Sequence, residues 1–146
     1  RSVDHLEYTS DVEFDVLKGS DTIATLLPGA TFFLKMDYAP ARSMIEKGVA
    51  VAIASNYNPG SCPSGDMKFM MALCCLNMRM LPEEVINCAT INGAFAMDLD
   101  KQFGSITRGK VANLFITKEI PSYEFVPYSF STPLVDTIIL NGEIVK

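Results

Sequence analysis

Thr22 to Leu27 is β-branched and apolar and stops at Pro28-Gly29. Val49 to Ser55 repeats the pattern and stops at a polar segment. Runs of this kind predict strands buried on both faces. Ser2 to Leu6 is shorter and only partly apolar, and predicts a further strand. Between the strands the period changes. Ser10-Asp11-Val12-Glu13 has the spacing of a capping box, Val12, Val16 and Leu17 form an apolar stripe, and Gly19 stops the helix. A second helix is expected from Pro40 to just before Gly48, because proline suits a first turn. The order β-α-β-α-β at short spacing implies parallel strands joined by helical crossovers.

Further along, Met67, Met70, Met71, Cys74 and Met78 recur at helical spacing within Asp66 to Met80. Such a stripe fills a core more readily than it builds a metal or partner site. Pro82-Glu83-Glu84 opens another helix, with acids at the positive end of its dipole, running to about Leu99 with a break near Gly93. From Phe103 the segments shorten. Leu114 to Thr117 predicts a strand. Val135 to Leu140, Asn141-Gly142 and Glu143 to Val145 predict a hairpin on a type I′ turn. Residues 1–102 are therefore expected to form one α/β region and residues 103–146 an all-β region, with no repeats or low-complexity tract.

Composition narrows the class. The 146 residues suffice for one ordinary domain. A hydrophobic fraction of 49% excludes a disordered chain. No apolar run approaches the ~20 residues that span a bilayer, so a membrane protein is not expected. The greasiness points instead to buried strands or to a face that meets more protein. A net charge of −5 with scattered Lys and Arg argues against nucleic-acid binding. Cys62, Cys74, Cys75 and Cys88 form no CxxC pair. They are expected as small buried hydrophobes in a reducing cytoplasm, not as disulfides or zinc ligands. The chain begins at Arg1 with no charged-then-apolar leader, so no signal peptide is expected, and the sequence is either trimmed or part of something longer.

The candidate chemistry lies at strand ends, where α/β proteins place it. Val51-Ala52-Ile53-Ala54 runs into the polar tip Ser55-Asn56-Tyr57-Asn58-Pro59-Gly60-Ser61. The single histidine, His5, ends the first strand beside Asp4 and Glu7. A pKa of ~6.5 lets a histidine shuttle protons near neutrality, although a lone histidine is often structural or merely exposed. There is no G-x-S-x-G elbow, P-loop or G-x-G-x-x-G. A hydrolytic metal needs several His or carboxylate ligands, which a chain with one histidine does not supply by itself. Asn58-Pro59-Gly60 also reads simply as a tight turn.

Several segments, in order and spacing, resemble the imidazolonepropionase family. They are Ser2-Val3-Asp4-His5-Leu6-Glu7, Leu26-Leu27-Pro28-Gly29-Ala30 and Ala54 to Ser61, followed by Pro82-Glu83-Glu84, Ala89-Thr90-Ile91-Asn92-Gly93-Ala94 and Gly104-Ser105-Ile106-Thr107-Arg108-Gly109-Lys110. The last two are shared with the wider amidohydrolase superfamily. The resemblance implies a (β/α)8 barrel with a β-sandwich built from both chain ends. This chain would supply the last three barrel strands and a share of the sandwich. The implied reaction is metal-dependent hydrolysis of 4-imidazolone-5-propanoate to N-formimino-L-glutamate, in histidine degradation. It implies one zinc or iron ion, held mostly by histidines in an amino-terminal portion that this chain lacks, and often a homodimer. His5 matches the residue that helps activate the attacking water, and Asn58, Gly60 and Ser61 match positions that hold the small-molecule substrate. Asn56 stands where the family has an aspartate that ligates the metal and accepts a proton. A neutral amide is a weak ligand and no base near pH 7. Asn113 also replaces a superfamily aspartate, at a position read as structural. The fragment alone is expected to be inactive. The competing readings are a catalytically dead binding or assembly module and another cyclic-amide amidohydrolase.

Overall fold

The computed structural model describes residues 1–145. Three parallel strands, β1 (Ser2–Asp4), β2 (Ile23–Leu26) and β3 (Val51–Ile53), lie side by side in chain order. Their register pairs Asp4 with Thr25 and Thr25 with Ala52. Helix α1 (Asp11–Lys18) crosses from β1 to β2, and α2 (Pro28–Leu34) and α3 (Ala41–Glu46) cross from β2 to β3. Then come α4 (Met67–Met78), α5 (Pro82–Ala89) and α6 (Ile91–Ala96). A second, antiparallel sheet holds β4 (Leu114–Thr117), β5 (Val135–Leu140) and β6 (Glu143–Ile144), with the short helix α7 (Phe125–Tyr128) before β5.

The parallel strands alternate faces, as pleated backbone must. Ala24, Leu26, Val51 and Ile53 face the helices and join Phe14, Met44, Met71, Cys74 and Val85 in one core. The opposite face carries Thr25 and Ala52 and opens into a cleft of about 1080 Å³. β2 and β3 are buried throughout, whereas all of β1 is exposed. The Asn141-Gly142 turn has φ of 53° and 84°, as a type I′ turn requires. The Glu13 carboxylate reaches back to the Ser10 N–H at 2.8 Å, as the capping pattern predicts.

Four local expectations change, and the first is that residues 103–146 are not all-β, because α7 interrupts the strands before β5. Helix α1 buries the face carrying Phe14 and leaves Val12 and Val16 71% and 69% exposed, so the Val12–Val16 stripe is not its inner side. Pro28-Gly29 is not a plain turn. Pro28 starts α2, with its fixed φ already helical, and Lys35 ends the helix at φ 55°. The break after α5 falls at Thr90, not Gly93: the Thr90 hydroxyl donates to the Ile86 carbonyl at 2.6 Å, and its backbone leaves the helical region. Gly93 sits inside α6.

Candidate active site

Because β1, β2 and β3 run parallel, their carboxyl ends share one edge, and the chain leaves that edge at His5, Leu27 and Ala54. Leaving β1 takes an unusual backbone path. His5 and Leu6 have φ of 78° and 72°, a region that costs non-glycine residues energy and clusters at functional sites. The His5 N–H still bonds the Thr25 carbonyl at 3.1 Å, holding the residue to the sheet. Just past this turn the Glu7 side chain meets the histidine ring. The Glu7 side chain is only 5% exposed, and its Oε1 lies 3.3 Å from His5 Nδ1 and accepts from the Thr31 hydroxyl at 3.0 Å. The His5 side chain is half-exposed.

Leaving β3, the Ala54 N–H bonds the Leu26 carbonyl at 3.0 Å, and Asn56 then turns the chain with φ 52°. Asparagine tolerates this left-handed conformation well. Asn58 and Cys62 pair as a short antiparallel bridge, with the Pro59-Gly60 turn between them. The Asn58 side chain organises that turn. Its Oδ1 accepts from the Gly60 and Ser61 N–H groups at 2.9 and 2.8 Å. Its Nδ2 donates to the Asn56 carbonyl at 2.6 Å and to Ser61 Oγ at 2.8 Å. The side-chain amide of Asn56 takes no part in this network and is half-buried.

The tip is braced from below. Cys62 is 2% exposed and packs with Ala30 and Met70. A Cβ on Gly29 would lie 2.6 Å from Cys62 Sγ and 2.7 Å from Met70 Sδ, so only glycine lets α2 approach this closely. The structure thus gathers His5, Asn56, Asn58, Gly60 and Ser61 at one sheet edge. His5 follows β1 directly, and Asn56 lies three residues beyond the end of β3, two strand positions away. Glu7 and Thr31 were not legible as site residues. Glu7 was visible only as a neighbour of His5, and Thr31 lies 24 residues further on.

The cleft on the open face is lined by Asp4, Thr25, Ser55 and a largely apolar wall from Thr90 to Phe115, and it does not include His5, Asn56 or the tip. Thr25 Oγ1 is buried there without a hydrogen-bond partner among the described residues. As for metal, no group of three or more His, Cys, Asp or Glu among the described residues could hold an ion. The described residues do not fit a metal site on their own.

The chain matches the Amidohydrolase family over residues 4–145. It is 50% identical to an imidazolonepropionase of Christiangramia forsetii over 144 residues, covering 99% of this chain and 35% of that protein. It is 49% identical, with the same coverage, to an imidazolonepropionase of Flavobacterium johnsoniae. The chain thus spans about a third of the length of the curated relatives it matches. Its fold is similar to an adenosine deaminase from Xanthomonas campestris, solved with bound zinc, at a TM-score of 0.88 and 17% identity over 98% of this chain and 36% of that one. With a match that runs nearly end to end, the chain belongs to the amidohydrolase family.

Proposed function

We propose that this chain is the carboxyl-terminal part of an imidazolonepropionase. The observation that carries this reading is the near-50% identity to proteins of that name across essentially the whole chain. On this reading β1, β2 and β3 are the last three strands of a (β/α)8 barrel within residues 1–102. Residues 103–146, with β4 to β6, are a share of a β-sandwich. The cleft on the open face of the parallel sheet is where the rest of the barrel closes. On this reading the location is cytoplasmic, as the resemblance implies. A homodimer fits the resemblance.

The reaction is addition of water to the ring carbonyl of 4-imidazolone-5-propanoate and cleavage of the cyclic amide C–N bond, giving N-formimino-L-glutamate. His5, half-exposed at the strand edge, moves a proton during that addition. The Asn58-Gly60-Ser61 tip holds the substrate, and the internal hydrogen bonds of Asn58 keep it in shape before the substrate arrives. A divalent cation, zinc or iron, belongs to this reading, with its other ligands outside the chain. The zinc in the similar adenosine deaminase supports a metal of that kind. Asn56 occupies the position of the family's aspartate and offers a neutral oxygen with no basic function.

Asn56 favours a second reading, a catalytically dead module that binds or assembles. Assay and metal analysis of the full-length protein, as it stands and with Asn56→Asp, separate the two. The first reading expects tight metal and a gain in imidazolone hydrolysis on the order of 100-fold on restoring the acid. Absence of hydrolysis in an intact, metal-loaded Asn56→Asp protein overturns it.

A further inference from the structure

We propose that Glu7 is a positioning residue that holds neutral His5 as its Nδ1–H tautomer and leaves Nε2 free to accept a proton at the strand edge. This rests on the reading of His5 as a proton carrier. A carboxylate as buried as that of Glu7 needs hydrogen-bond partners to offset its desolvation. It has two, and both meet the same oxygen, Oε1.

The first partner sets the roles. Thr31 is 1% exposed on α2, and its single hydroxyl proton has two acceptors, Glu7 Oε1 at 3.0 Å and the Leu27 carbonyl at 3.4 Å. The shorter contact goes to Glu7, so Thr31 is a donor and Glu7 an acceptor. An ionised carboxylate only accepts, and a neutral imidazole has one N–H and one lone pair. With Nδ1 directed at Glu7, the N–H must be on Nδ1 and the lone pair on Nε2. A histidine free in water prefers the opposite tautomer, so the arrangement changes what the ring presents.

The left-handed backbone at His5 and Leu6 has a use in this scheme. Through these two residues the chain turns off the strand, and the Glu7 carboxylate meets the imidazole two residues on from it. Thr31 anchors the carboxylate from the following crossover, so the ring orientation is tied to α2 as well as to its own strand.

Segmental labelling of the full-length protein with 15N-histidine in this segment alone makes His5 the one labelled imidazole. Spectra recorded at rising pH, until the imidazole signals stop changing, report its neutral tautomer directly. The wild-type protein is expected to show Nδ1–H; a predominant Nε2–H form overturns the proposal without any variant. Glu7→Leu is expected to shift the ring towards Nε2–H, and Glu7→Gln, which keeps an acceptor oxygen, to retain Nδ1–H. In an Asn56→Asp background, Glu7→Leu is expected to lower kcat on the order of tenfold with KM little changed, and Glu7→Gln to recover most of it. Equal losses in both variants that track a lower Tm, with the tautomer unmoved, would mean that Glu7 only ties the loop to α2 and would overturn the proposal. If the Asn56→Asp protein hydrolyses no imidazolone, the functional reading fails, and the tautomer measurement still decides the role of Glu7.

Discussion

On the proposed reading Asn56 puts a neutral amide where the family carries a carboxylate of nearly the same shape, a change that bears on chemistry more than on shape. The left-handed φ of 52° suits asparagine, and the neighbouring tip is braced by Asn58 instead. That Asn58, Gly60 and Ser61 form a polar tip was legible from residue types alone. That the Asn58 amide is engaged inside the tip was not, because its partners appear only once the chain folds back to pair Asn58 with Cys62. The close approach of Gly29 was equally hidden. Gly29→Ala is expected to cost about 1–3 kcal/mol, since the added methyl must displace the buried sulfurs of Cys62 and Met70. Denaturant unfolding of the full-length protein measures it, and a change near zero would show that the Met70 side chain simply swings aside. The thiols make a companion prediction. Burial, with nearby charge from Glu84, pushes Cys88 up to about 12. Burial raises the fully buried Cys74 as well. Both should resist thiol reagents at neutral pH until the protein unfolds, as a timed thiol titration would record.

Among elements, the apolar pattern named the buried face of a helix only where that face is also its most apolar one. The methionine spacing placed α4, with Met70, Met71, Cys74 and Met78 all buried. In α1 the apolar valines and the buried phenylalanine lie on different faces, and the larger aromatic side chain settles the orientation. Helices α3 and α5 are clasped by Arg42, which donates to both Glu84 oxygens at 3.0 and 2.9 Å. Glu84 also accepts the Leu81 N–H at 2.8 Å, so one carboxylate joins two helices and caps one of them. Burial by itself would raise the Glu84 carboxyl, but the hydrogen bonds from Arg42 and Leu81 and the Arg42 charge outweigh it and hold the group below its ordinary value of 4.5. A depressed carboxylate contributes stability above its unfolded pKa and loses it as pH falls through the folded one. Glu84→Gln should therefore destabilise the protein by about 1–2 kcal/mol at pH 7. The difference from wild type should shrink as pH drops below about 4.5. Unfolding midpoints at several pH values test this, and a pH-independent difference would contradict it.

On the scale of the whole molecule, the chain leaves surfaces that one domain of this size would normally cover. β1 is exposed along its free edge, the parallel sheet turns one face to an open cleft, and Phe115, Ile116 and Ile144 of the antiparallel sheet are at least half exposed. Exposed edges and apolar faces invite pairing with other chains. Residues 1–146 expressed alone should self-associate in light scattering at micromolar concentration. A monomeric species with a sharp, reversible unfolding transition would contradict this. The sequence by itself determined the strands β1 to β5, the helices α1, α3 and α4, the type I′ hairpin and the placement of His5 and the Asn56–Ser61 tip at strand ends, but not the helices α2 and α7. Hydrophobic period and turn chemistry are local properties, readable within a window of a few residues. Only the tertiary structure decided which face of α1 is buried, that Glu7 sits between His5 and Thr31, and that Gly29 lets α2 brace the tip. Each of those depends on side chains far apart along the chain competing for the same few ångströms, and no local pattern records who arrives there.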